Sequence, residues 1–277
     1  MTKRGGSSPG KSINLNSQNN LSLKDIEKII NEFEDITLEE MDSVSLLNRV
    51  DSKYVFSNLL LPKILEKSLP HYRILTIGKD RIFSYRSLYY DTPDNKLYLD
   101  HHNGKVNRYK IRFRAYKETN VFYLEIKYKT KNGRTIKKRI KAPEFETELT
   151  SESMKFIKAN SPVDSKQLEP KIYTTFLRMT LVNKKLTERI TIDHNLVFEN
   201  GHVHKNLPRL AIVEIKRSNA NGNISYFTEI LNDMGISPRG LSKYCIGRVL
   251  TDDTVKYNRF KAKLLFIDKI INKYDLP

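Results

Sequence analysis

This 277-residue chain has one cysteine, no tryptophan and no long apolar run. A lone Cys245 excludes an internal disulfide framework, so a reducing, cytoplasmic setting is expected. The opening stretch MTKRGGSSPGKSINLNSQNN carries no apolar segment of the secretory-signal type. It is rich in Ser, Gly and Asn, and residues 1–20 are expected to form a flexible tail. No segment approaches the roughly 20 apolar residues that a membrane-spanning helix needs. Walker, G-x-S-x-G and H-x-x-x-H signatures are also missing. Acidic residues are scarce: 32 Asp and Glu stand against 49 Lys and Arg, a net charge of +17.

What is present is apolar enough to fold, with 39% hydrophobic residues, 15 Tyr and 12 Phe. The positive charge is also concentrated. Between Lys105 and Lys141 there are 14 basic residues and two acids, Glu118 and Glu125, which suggests a focused anion site. Many short alternating segments, a few helices and no βαβ rhythm predict an α+β protein built on a β-barrel or curved sheet. RILTIG and RIFSYRSLYYDTP read as a hairpin turned at Gly78-Lys79-Asp80. Later strands are predicted at 171–181, 188–193, 196–199 and 210–217. One domain over 21–253 is expected, followed by an amphipathic helix within 254–277 that packs on it.

Strand side chains alternate between faces. RYKIRFR therefore sets Arg112 and Arg114 on one face, and LEIKYK does the same for Glu125, Lys127 and Lys129. Asp51 with Lys53, Arg189 with Asp193, and Glu214 with Lys216 repeat the pattern. The residues between them, such as Ile111, Phe113, Leu124, Ile190 and Val213, are apolar. Charge on alternate positions of one strand is ordinary at a surface. Five strands repeating it, with Arg favoured as in phosphate binding, point to apolar rows packed outward and charged rows lining a lumen, which needs counter-charge from mutual Glu–Lys pairing, a bound polyanion or metal ions.

The segments YYDTP (89–93), RYKIRFR, LEIK, RITID, VEIK and SKY (242–244) occur in the order found in the vacuolar transporter chaperone (VTC) domain, and the chain resembles that family from about Arg49 to Leu250. The family belongs to the triphosphate tunnel metalloenzymes, together with the CYTH-type triphosphatases. The resemblance implies an antiparallel eight-stranded barrel that makes polyphosphate from ATP with Mn²⁺ or Mg²⁺. By position it assigns Lys53, Arg112, Arg114, Lys127, Arg178, Arg189, Lys216 and Lys243 to the reacting phosphates. Lys129, Ser242 and Tyr54 would assist in binding, and Glu214, with Glu125 second, would hold the metal. Two positions depart from the pattern. Asp51 replaces the usual Glu of Glu-x-Lys-Tyr, which counts against a metal role there, and Phe176 replaces a Tyr two residues before Arg178.

The expected reaction is transfer of the ATP γ-phosphoryl group to a growing polyphosphate, with ATP and polyphosphate as partners and room for a membrane partner protein. No specific nucleic acid is expected. The alternatives are a tunnel-type triphosphatase, or a subunit that only binds polyphosphate or inositol phosphate. CYTH-type enzymes begin Glu-x-Glu-x-Lys, and Arg49 occupies the first of those positions here, which favours the polymerase. His202 and His204 read as a polar loop, His101 and His102 as a helix end, Cys245 as packing, and Tyr85, Tyr89 and Tyr90 as core.

Overall fold

The computed structural model describes residues 25–42, 49–218 and 225–272. The expected tail at 1–20 lies outside them. The chain begins with a helix, α1 (25–30), followed by β1 (Glu34–Ile36), α2 (Leu38–Asp42) and β2 (Arg49–Ser57). Next come α3 (Leu61–Ser68), β3 (Tyr72–Leu75), β4 (Phe83–Asp91) and α4 (Lys96–His102). A basic meander follows: β5 (Arg108–Tyr116), β6 (Val121–Lys129) and β7 (Thr135–Ala142). Its turns use Asn120 and Gly133 at positive φ. After α5 (Ser151–Asn160) come β8 (Glu169–Asn183), β9 (Glu188–Glu199), β10 (His204–Leu207) and β11 (Leu210–Ser218). The helices α6 (Tyr226–Asp233), α7 (Lys243–Thr251) and α8 (Lys261–Asn272) complete the fold.

The strands join in one sheet of eleven, with main path β2-β11-β9-β8-β4-β5-β6-β7. Every pair on that path is antiparallel; β1 adds to β3 in parallel, and β3 and β10 attach to β8 and β9. The fold is therefore α+β and antiparallel, but the expected closed eight-stranded barrel is corrected. Three further strands are present, and β2 and β7 are not paired with each other among the described residues. The composition of β7 supplies a physical reason. Lys137, Lys138, Arg139 and Lys141 make a lysine-rich edge of the kind that resists further pairing.

Two other expectations are corrected. β3 and β4 do not pair as a hairpin, because β3 lies between β1 and β8 and only an Ile77–Asp80 bridge marks the turn. The segments read as 188–193 and 196–199 are one strand, in which Asn195 adopts φ 51° opposite the irregularity between Thr175 and Leu177. Asn tolerates that left-handed conformation at low cost, so a residue that looks like a break continues the strand.

The apolar rows are buried under helices. Tyr54, Met179, Ile190, Ile192, Val213 and Ile215 pack with Ile26 and Ile30 of α1, Leu61 and Ile64 of α3, and Phe227 of α6. Leu88, Ile111, Phe113, Leu124 and Ile126 pack with Ile157 of α5. Each such side chain contributes roughly 1.5–3 kcal/mol by leaving water. That burial fixes which way the charged rows must face. α8 lies against β2 and β11, with Ile267 buried and the Arg239 guanidinium 3.9 Å from the Phe266 ring. Among the described residues no helix is long and apolar enough to cross a membrane.

Candidate active site

The charged rows meet on the concave face of the curled sheet. Arg112 and Arg114 on β5 are each 6% exposed, and Glu125 on β6 is fully buried. Arg112 donates from Nε at 2.8 Å and Nη2 at 2.6 Å to Glu125, and from Nη1 at 3.0 Å to the Tyr89 hydroxyl. The other Glu125 oxygen takes Lys137 from β7. Burial alone would raise the Glu125 pKa, but Arg112, Arg114 and Lys137 outweigh it and hold the carboxyl well below its usual range. Burial likewise pushes the Tyr89 phenol up, and Arg112, Arg114 and Lys110 bring it below its usual value.

A second ion-pair group sits on β8, β9 and α7. Arg178 grips Asp193 with two bonds, Nε at 2.5 Å and Nη2 at 2.8 Å, and Lys243 pairs with the same carboxylate. Phe176, where a hydroxyl was expected, stacks on Tyr85 with centroids 5.3 Å apart. The Arg178 guanidinium and the Lys243 ammonium lie 5.3 and 4.4 Å from its ring centroid. The aromatic face of Phe176 thus holds both cations by cation–π contact, without the hydroxyl that a Tyr would add.

On the far side of the face, Glu214 of β11 holds Lys216 at 2.9 Å and lies 3.5 Å from Lys53 of β2. Burial raises its pKa, yet Lys216 and Lys53 together lower it strongly. Arg189 stands opposite Lys216 in register. Asp51, exposed, is Lys216's partner on the other side.

α7 completes the face, and the SKY segment divides the work. Ser242 caps the helix, its Oγ accepting from the Cys245 N–H at 3.3 Å and from Lys110 Nζ at 2.9 Å. Lys243 pairs with Asp193. Tyr244 donates to Asp91 and stacks on Tyr89, centroids 5.0 Å apart. Asp91 also accepts the backbone N–H groups of Leu97 at 2.8 Å and Tyr98 at 2.7 Å, so the YYDTP segment ties β4, α4 and α7 together. Gly247 allows the close approach: a Cβ there would lie 2.5 Å from Phe198.

Three cations on the floor of the face, Arg114 buried and Lys110 and Lys127 half-buried, form no ion pair among the described residues. Lys110 bonds only the Ser242 hydroxyl, Arg114 reaches Ser87 Oγ at 3.4 Å, and Lys127 has no hydrogen-bond partner there. The Lys127 pKa falls well below its usual value, first through the neighbouring Arg112 and then through burial. Burial, then Arg112, lowers that of Arg114. Stacking unpaired cations in a water-poor site is unfavourable, and a polyanion would reverse the sign of the interaction.

Most of the predicted residues therefore converge. Lys129 belongs to the same row but is exposed at its open end. Tyr54 does not converge: its ring is 2% exposed in the core beneath the helices, on the face opposite Lys53. Lys110, Lys137 and Asp193 join the face without having been assigned a role. For Lys110 the signal was its spacing of two from Arg112. Tyr85 and Tyr89 line the charged face, while Tyr90 lies in the α5 layer. His204 lies in β10 and, like His202, is exposed.

No three His, Cys, Asp or Glu side chains converge among the described residues. A divalent ion fits here only in company with phosphate oxygens, a mode suited to Mg²⁺ and Mn²⁺. Glu214, with its side chain 24% exposed, can supply one oxygen to such a complex. Glu125 does not fit, because both its oxygens are taken by Arg112 and Lys137.

Residues 48–251 match the VTC domain, and the chain belongs to that family. No curated protein matches the chain. Among solved structures, the chain is similar to the Hippeastrum protein HpAC1, described as revealing a dominant triphosphatase activity. The identity is 14%, covering 73% of this chain and 96% of that one, with TM-score 0.48. It is also similar to PH1819 from Pyrococcus horikoshii, with 14% identity over 73% and 98% of the two chains and TM-score 0.42.

Proposed function

We propose that this VTC-domain protein is a polyphosphate polymerase that transfers the γ-phosphoryl group of ATP to the end of a polyphosphate chain held on the basic face. The observation that carries the reading is the set of unpaired cations, Arg114 buried and Lys127 and Lys110 half-buried, inside a chain of the VTC family. Such an array suits a ligand with one negative charge per repeating unit.

Phosphoryl transfer asks for alignment and charge stabilisation more than for a covalent partner. Arg112 is anchored by Glu125 and Arg178 by Asp193, so both guanidiniums are fixed before substrate arrives. Arg114 and Lys127 supply the charge that the phosphates neutralise. A terminal oxygen of the acceptor attacks the γ-phosphorus, the bond to the β–γ bridging oxygen breaks, and ADP leaves. Mn²⁺ or Mg²⁺ held by Glu214 and phosphate oxygens would supply further neutralisation of the transferring group. Lys53 and Lys216 place that carboxylate.

The test is incubation of the protein with ATP and Mn²⁺, followed by gel electrophoresis stained for polyphosphate, with Arg114→Ala and Glu214→Ala as controls. A ladder of long chains that both substitutions abolish is expected. Free phosphate with no ladder would assign a triphosphatase instead, and tripolyphosphate binding with no product would leave a binding subunit.

A further inference from the structure

The sheet is open between β2 and β7, and the exposure of its inward rows changes across it. In the middle strands the charged row is buried or half-buried: Arg112 and Arg114 at 6%, Glu125 at 0% and Asp193 at 3%, with Lys127 and Glu214 intermediate. At the two lips it reaches solvent. On β7, Lys137, Arg139 and Lys141 are exposed, and on β2 the Lys53 side chain is 39% exposed. The β7 residues nonetheless belong to the inward face. Lys137 stands opposite Lys127 and pairs with Glu125. Arg139 stands opposite Glu125, with its guanidinium 4.5 Å from the inward Tyr123 ring. A sealed lumen would bury the inward rows of every strand alike. This one grades from exposed lip to buried floor.

The first turn of α7 also lies over the concave face, tied to Lys110, Asp193 and Asp91. A polymer threaded lengthwise would have to pass that helix, whereas one laid in from the side would not. Along the lateral route it would meet exposed cations first, and then the unpaired half-buried Lys127 and Lys110 and the buried Arg114.

We propose that the polyanion is loaded sideways through the slot between β2 and β7, with Arg139 and Lys141 as its first contacts, so that the face takes internal stretches of long polyphosphate whose two ends are both blocked. This rests on the polyphosphate reading above, and it names a substrate form that a threaded tunnel rejects. It also gives a long product a way to leave without being drawn through end first.

The experiment uses long-chain polyphosphate biotinylated at neither, one or both ends, with streptavidin bound to each biotin. Each is tested as competitor against fluorescent tripolyphosphate on the full chain. Side loading predicts that the doubly capped polymer competes within about threefold of the uncapped one, since the same phosphates are contacted. Competition by the uncapped polymer but not by the doubly capped one would overturn side loading and leave the polyphosphate reading intact. Failure of tripolyphosphate itself to bind would overturn both. As a second arm, the exposed pair is changed together, Arg139→Glu with Lys141→Glu. Long-chain affinity should fall at least about tenfold while tripolyphosphate affinity changes by less than about threefold, because the short ligand seats on the floor. Equal loss for both ligands would place the lip inside the core site and contradict its role as first contact.

Discussion

Lys127 on β6 and Glu214 on β11 act on each other's charge, Glu214 raising the proton affinity of Lys127 and Lys127 lowering that of Glu214. Five strand steps separate them along the sheet. Laid flat, that is roughly 24 Å, beyond the reach of a useful interaction at physiological salt. The sheet must therefore curl until its two halves face each other. The functional consequence is that cations from both halves can act on one ligand between them.

Lys127 is repelled by Arg112 and partly stripped of water, so it is held in place at a cost to the folded state. Lys127→Met should leave the melting temperature unchanged or raise it by up to about 4 °C, a shift worth roughly 1 kcal/mol at this size. The same change should weaken tripolyphosphate binding at least about tenfold by removing a charge from a low-dielectric site. Thermal unfolding and a binding titration on one preparation check both. A large loss of stability would mean that Lys127 is structural.

Asp193 has the opposite character. It is 3% exposed and neutralises both Arg178 and Lys243, which hold its pKa well down despite burial. Asp193→Asn strands two buried cations and should cost about 3–5 kcal/mol of unfolding free energy. Denaturant unfolding measures this, and added tripolyphosphate should restore part of the loss by pairing the same cations.

His194 lies fully buried on the outward row of β9 that carries Ile190 and Ile192, and burial lowers its pKa to about 4. Above its unfolded value near 6.5, both states are neutral and the folded protein keeps its full stability. As pH falls from there toward 4, the unfolded chain takes a proton that the folded one refuses. Stability then drops by about 3 kcal/mol in total, at 1.36 kcal/mol per unit. His101, whose pKa burial and then Lys110 lower to about 2, adds a loss of the same sign. Denaturant midpoints between pH 7 and 4 for wild type and His194→Leu isolate the first contribution. Parallel curves would exclude it.

Glu214 is the one predicted metal ligand with room for an ion. Glu214→Gln removes a negative charge from the anion site, so tripolyphosphate should bind at least as tightly in EDTA as it does to wild type. The strengthening by Mn²⁺ should disappear. Calorimetric titrations with and without Mn²⁺ decide the point, and a retained Mn²⁺ effect would move the metal elsewhere.

Alternation made most of the face legible in the sequence. Apolar residues alternate with charged or polar ones through 108–114 of β5, 124–127 of β6, 189–193 of β9 and 213–216 of β11, and the burial of Ile111, Ile126, Ile190 and Val213 follows that reading. The same rule, applied strictly, sends Tyr54 outward as soon as Lys53 is placed inward. It also brings Lys110 in beside Arg112. Lys137 and Arg139 are harder to see, because Lys138 interrupts the apolar row of Ile136, Ile140 and Ala142 and blurs the period of two in β7. Pairing and closure could not be read locally. Nothing in RILTIG says that β3 will lie beside β1 and β8 rather than β4, and the open seam between β2 and β7 depends on contacts that neither strand's pattern records.

The most direct measurement is a calorimetric titration of the protein with tripolyphosphate at two salt concentrations, alongside Arg114→Ala and Lys127→Ala. Wild type should bind one equivalent, with affinity falling steeply as salt rises, and each substitution should weaken it by at least about tenfold. Equal binding by wild type and both variants, or none by wild type, would contradict a polyphosphate site on this face.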